Sequence, residues 1–143
     1  MIRNKLGNFI VAACSAVAIF GSVLPTVMAS NKTLYSYTFD FGGGSWATLR
    51  ERYKDNDSSV YMNCNYSESS DDYFDAYVWG WDSSNNIDYN AGGPWAPYTF
   101  WEDSAYYMYN YVHENDCDYA YIKAYHAGDG EGYFRGQWMP DTE

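Results

Sequence analysis

From residue 34 onward, hydrophobic and polar positions alternate with a period of two. In residues 34–41, Tyr35, Tyr37, Phe39 and Phe41 share one face, and Leu34, Ser36, Thr38 and Asp40 the other. Aromatic alternation of this kind predicts a half-buried strand. Gly42, Gly43 and Gly44 end it. Residues 46–54 are mixed, with Arg50, Arg52 and Lys54 alternating with Leu49, Glu51 and Tyr53, and residues 55–58 read as a turn. Val60, Met62, Cys64 and Tyr66 then alternate with Tyr61, Asn63 and Asn65, which predicts a second clear strand before the polar turn at 67–72.

Residues 73–81 carry the strongest signal. Tyr73, Asp75, Tyr77, Trp79 and Trp81 lie on one face, with Phe74, Ala76 and Val78 on the other. A strand apolar on both faces is either covered on both sides or covered on one and used for binding on the other. Residues 82–97, rich in Ser, Asn, Gly and Pro, read as a long loop, a class that is often functional or disordered. Strand character resumes at 98–101.

Residues 104–115 carry two periods. Tyr107, Tyr109 and Tyr111 alternate as in a strand, while Ala105, Met108, Tyr109 and Val112 form a helical stripe; the tyrosine density favours the strand. Residues 119–126 alternate again, the glycines of 128–132 predict a hairpin turn, and 133–138 form the last strand, stopped by Pro140. About seven short strands with turns between them predict an all-β antiparallel sandwich, a single domain over residues 30–143.

Residues 1–29 have a different grammar. Arg3 and Lys5 precede an apolar run from Phe9 to about Leu24, and Val27-Met28-Ala29 supplies a small-residue cleavage site, so this segment reads as a signal peptide cut before Ser30. Gly21, Pro25 and Thr26 interrupt the run before the roughly 20 residues that a membrane anchor requires. The expected product is secreted, with no membrane span. It has 114 residues, 6 Lys and Arg against 19 Asp and Glu for a net charge of −13, and 28 aromatic side chains.

That charge excludes nucleic acid, whose phosphates reward Lys and Arg, and it opposes docking on anionic lipid. Cleavage removes Cys14 and leaves Cys64 and Cys117, an even pair that in an exported chain predicts one disulfide. It would close a loop of 53 residues and stabilise the fold by about 4 kcal/mol.

Catalytic signatures are sparse. The two histidines, His113 and His126, belong to neither a Gly-x-Ser-x-Gly elbow nor a His-Glu-x-x-His motif. Nineteen acids make a glycosidase-type carboxylate pair numerically cheap. Acidic turns at 55–57, 68–72, 114–118 and 129–131 offer oxygen ligands for calcium, yet none completes an EF-hand loop. The expectation is a protein without catalytic residues, metal or cofactor.

The aromatic excess is the positive signal. So small a fold hides only part of 28 rings, and exposed rings stack on sugar faces or hold cations. Trp79 and Trp81 share a strand face, and Trp95 and Trp101 flank the loop, so these four are the candidate ligand-binding residues.

Towards the C-terminus, Tyr119-Ala120-Tyr121-Ile122-Lys123-Ala124, a Gly-rich turn and Gly136-Gln137-Trp138-Met139-Pro140-Asp141 resemble the closing pattern of small exported proteins of Gram-positive bacteria. These are often encoded beside bacteriocin export and immunity systems; some are grouped with lactococcin-like bacteriocins and others are domains of unknown function. The resemblance implies a secreted β-sandwich with an antagonistic or envelope-directed role. A charge of −13 departs from the cationic character of membrane-active bacteriocins. The expected function is therefore non-enzymatic binding of an envelope component or a cationic peptide or protein. The alternatives are a carbohydrate-binding module and a small secreted hydrolase.

Overall fold

The computed structural model of the chain describes residues 31–42, 44–128 and 130–143. The expected signal peptide, residues 1–29, lies outside them, as does Asp129 of the acidic turn at 129–131. All regular structure among the described residues is β, in ten strands rather than about seven. They are β1 (Tyr35–Phe41), β2 (Trp46–Thr48), β3 (Arg52–Tyr53), β4 (Val60–Ser67), β5 (Phe74–Asp82), β6 (Ile87–Asn90), β7 (Tyr98–Phe100), β8 (Ser104–Met108), β9 (Tyr119–Tyr125) and β10 (Gly132–Met139).

They form two antiparallel sheets. One has the order β1-β10-β4-β8; the other has the order β2-β9-β5-β6, with β3 also on β9 and β7 also on β5. The predicted antiparallel sandwich is the observed architecture. Its core lies between the sheets and takes the faces assigned by alternation. Tyr37, Phe39 and Phe41 of β1, Val60, Met62 and Cys64 of β4, Phe74, Ala76 and Val78 of β5, and Ala120, Ile122 and Ala124 of β9 all turn inward. Phe74 is the hub, with its ring 4.9 Å from Phe134, 5.3 Å from Phe39 and stacked on Phe100 at 5.2 Å.

The extra strands come from segments with weak period-two patterns. Residues 46–54 split into β2 and β3, both paired to β9, with Leu49 bonded to Ile122 between them. Within the predicted loop 82–97, β6 pairs with β5 although all four of its residues are exposed. Ile87 and Tyr89 do alternate with Asp88 and Asn90, but four residues inside a Ser-, Asn- and Gly-rich stretch are too few for the period to stand out. Residues 104–115 are strand only as far as Met108; beyond it the chain turns, with Asp116 at φ 56°.

A buried ion pair closes one end of the sandwich. Lys54 Nζ donates to Ser58 O (2.6 Å), Pro140 O (2.9 Å) and Asp141 Oδ1 (3.1 Å), and Asp141 Oδ2 accepts the backbone N–H groups of Asn31 and Asp55, each at 3.0 Å. Both side chains of the pair are fully buried. All three ammonium protons are used, which offsets the cost of desolvating the charges. Burial pulls the Lys54 ammonium below its ordinary value, while Asp141 pushes it back up.

The predicted disulfide is not formed: Cys64 and Cys117 are buried free thiols. Cys64 sits on β4 between Ser104 and Gly136, with its thiol directed at Tyr66 O. Cys117 precedes β9 and packs on Gly80 of β5 and Val112, in space a β-carbon at residue 80 would enter. An even cysteine count reports on redox setting, whereas a bridge requires two Cα atoms within about 7 Å of each other. Each thiol fills its own niche in the core instead.

Candidate binding face

The outer face of the six-stranded sheet gathers the aromatic surplus. Pairing of β5 with β9 sets Trp79 opposite Tyr121, Trp81 opposite Tyr119, Tyr77 opposite Lys123 and Asp75 opposite Tyr125. β2 adds Trp46 beside Tyr125 and Thr48 beside Lys123, and β3 adds Tyr53 beside Tyr119. Their inward neighbours are buried core residues, so this row points outward by the same alternation that builds the core.

Neighbouring rings touch along the rungs. Trp81 lies 5.1 Å from Tyr119, which meets Tyr53 edge-on at 5.6 Å; Trp46 lies 5.0 Å from Tyr125 and 5.8 Å from Tyr77. In the middle, Lys123 Nζ stands 3.5 Å over the Trp79 ring, a cation–π contact. Among the described residues no carboxylate lies within 4.0 Å of this ammonium. The Tyr121 hydroxyl donates to Asp88 Oδ1 of β6 at 2.9 Å, fixing the acid at the rim. Burial, followed by that bond and the charge of Asp88, raises the Tyr121 pKa well above its usual value.

Two open depressions cross this face. One of ≈ 410 Å³ is lined by Thr48, Leu49, Glu51, Trp81, Asp88, Tyr121 and Lys123; the other, ≈ 330 Å³, by Trp46, Thr48, Trp79 and Lys123. Thr48 and Lys123 belong to both and form the wall between them. Aromatic rings beside a few fixed donors and acceptors can take a planar or ring-shaped polar ligand and orient it.

The structure separates the four predicted tryptophans. Trp79 and Trp81 stand together on this face, half-buried. Trp95 is 68% exposed against Tyr109, and Trp101 packs on Tyr73, away from both depressions. Trp46 and the tyrosines of this face, Tyr121 foremost, were not among the sequence candidates. The Trp46 segment has no clean alternation, and only the pairing with Tyr125 brings it in. Alternation along residues 119–126 puts Lys123 on the face of Tyr119, Tyr121 and Tyr125, but its role depends on the register with Tyr77 and Thr48.

His126 follows β9 and is 2% exposed, with its Nε2 2.7 Å from Asp72 Oδ1 and its ring stacked on Phe41. It shares that niche with Phe134. Among the described residues, no group of three or more His, Cys, Asp or Glu side chains gathers to hold a metal ion. No described helix is long and apolar enough to cross a membrane.

A β-sandwich with an aromatic outer face on its six-stranded sheet is thus the class of protein that the fold defines. The family described as "Protein of unknown function (DUF2712)" matches residues 25–142, and the chain belongs to that family. No curated protein and no solved structure matches the chain.

Proposed function

We propose that this is a secreted, non-enzymatic binding protein that takes a carbohydrate component of the cell envelope on the outer face of its six-stranded sheet. The supporting observation is the pair of depressions sharing the Lys123–Thr48 wall, with aromatic rings for sugar faces and Lys123, Asp88 and Glu51 for hydroxyl groups. Trp81 and Trp46 offer ring surface on either side of the wall, while Trp79 supports the Lys123 ammonium. A cationic peptide fits this face less well, because a built-in cation already occupies the Trp79 ring.

This reading keeps the envelope-directed role implied by the resemblance to bacteriocin-associated proteins and needs no attraction to lipid. Affinity electrophoresis on purified Gram-positive cell wall and on neutral polysaccharides tests it. Retardation by at least one glycan is expected. Trp81→Ala should weaken that binding by about 30-fold, the loss typical of truncating a central aromatic anchor. Migration unchanged on every polymer would sink the reading, as would retardation that Trp81→Ala leaves intact.

A further inference from the structure

The opposite face of the sandwich carries a second groove of different chemistry. It measures ≈ 500 Å³ and lies on the outer side of the four-stranded sheet, where Ser36, Thr38, Asn65, Tyr66, Arg135 and Gln137 line it. In a chain with 19 acids against 8 bases, no carboxylate lines this groove.

A β-bulge builds it. In the pairing of β10 with β4, Arg135 stands opposite Tyr66 and Gly136 opposite Cys64, so Asn65 is the extra residue. Burial along β4 confirms the slip: Cys64 and Ser67 are buried, and the two residues between them both look outward. Bulges re-aim side chains in this way. On the other side of β10, Thr38 stands opposite Arg135 and Ser36 opposite Gln137.

Arg135 occupies the centre. Its guanidinium lies 4.4 Å over the Tyr66 ring and 6.0 Å from that of Tyr133. Among the described residues it has no carboxylate within 4.0 Å. The hydroxyls of Ser36 and Thr38 and the amides of Asn65 and Gln137 make no hydrogen bond to other described side chains. A cation held on a ring and four uncommitted polar groups therefore converge on one groove. The nearest acid along β1, Asp40, stands opposite Tyr133, two rungs from Arg135 on the same face and outside the groove lining.

From this geometry we infer a second ligand site, specific for a saccharide bearing a carboxylate, such as a uronic acid residue. The planar fork of one guanidinium matches one carboxylate, while amides and hydroxyls match ring hydroxyl groups. A single cation fits a monoanion better than a phosphate cluster. The negative charge of the rest of the protein slows the approach of such a ligand, but salt screens it beyond about 8 Å at physiological ionic strength. The groove lies on the other sheet from the aromatic face, and the inference stands whether or not that face binds a glycan.

The test is NMR titration of the ¹⁵N-labelled protein with trigalacturonate and, separately, with neutral maltotriose and with glycerol 3-phosphate. Trigalacturonate is expected to shift the Arg135 Nε–H and the Asn65 and Gln137 side-chain amide signals. The other two probes should leave these signals in place. Arg135→Gln should lower affinity at least about tenfold, the size of one charge-assisted contact, and Arg135→Lys should restore only part of it. Asn65→Ala gives an independent second variant with the same expected direction. The inference is overturned if trigalacturonate moves none of these signals at millimolar concentration, or if Arg135→Gln binds as the wild type does. Equal shifts with maltotriose would remove the requirement for charge, and equal shifts with glycerol 3-phosphate the requirement for a sugar acid. Shifts confined to the Trp79 and Trp81 indole signals would report the aromatic face and count against this groove.

Discussion

The two outer faces of the sandwich cover the same core yet differ in almost every respect. Outside the six-stranded sheet, aromatic rings meet across β2, β3, β9 and β5, and a lysine sits on one of them. Outside the four-stranded sheet, hydroxyls, amides and one arginine surround a bulge. The inner faces are both apolar: Tyr, Phe, Trp, Val, Met and Cys on the four-stranded sheet, and Phe, Val, Ala and Ile on the six-stranded one. Packing demands shape and apolar surface of the inner face only, so the outer positions are free to carry two different recognition chemistries.

The sharpest way to test this division is to damage an inner position. Phe74→Ala removes the ring at the centre of five aromatic contacts and should destabilise the fold by about 3–5 kcal/mol, degrading both faces together. Urea unfolding monitored by circular dichroism measures it. Lys54→Met leaves Asp141 as a buried charge without its partner and should cost a similar or slightly smaller amount, about 3 kcal/mol or more. Exchanging Lys54 and Asp141 together for apolar residues should recover part of that loss in the same assay.

Damage to an outer position has the opposite profile. Trp81→Ala should change stability by no more than about 1 kcal/mol, because its ring stays half-exposed on a sheet supported from within. Its effect should appear in glycan binding alone. A loss of stability as large as that of Phe74→Ala would break the distinction between inner and outer faces.

The smallest effects concern the thiols and alkaline pH. Burial and the neighbouring acids Asp82, Asp118, Asp116 and Asp88 push the Cys117 thiol up to about 11 from its ordinary 9.0. Cys64, Tyr37 and Tyr121 are raised as well, each mainly by burial. Groups that hold their protons more tightly when folded add stability below their unfolded pKa and lose it as pH rises through the folded value. The urea midpoint should therefore fall between pH 9 and about 11, and Cys117→Ala should flatten part of that fall. Under non-reducing denaturation a thiol reagent should modify both Cys64 and Cys117, and in the native state neither.

Strand faces were legible wherever one side is buried. The inward set Phe74, Ala76 and Val78 and the aromatic set of β1 follow from alternation alone, and the sandwich follows from several such strands. The edge strand β6 was not legible, since its alternation spans only four residues between Ser/Asn-rich and Gly/Pro-rich turns. Of the candidate site, Trp79 and Trp81 were legible because they share a strand. Trp46 was not, because its three-residue strand gains its position only by pairing with β9. Asn65 and Tyr66 face the same way only through a bulge, which reverses what strict alternation assigns to Tyr66.

By itself, the chain's sequence determined which side of each regular strand enters the core, the acidic balance and the abundance of rings left for the surface. These are local or additive properties, carried by residues two apart or by counts. Tertiary structure alone decided that Lys123 stands over Trp79, that Cys64 and Cys117 remain unbridged, that Lys54 meets Asp141 and that Arg135 faces a groove without acids. Each of these depends on register between strands distant in sequence. A shift of one residue would reverse every side chain involved, and the register is held by the shared core rather than by local pattern.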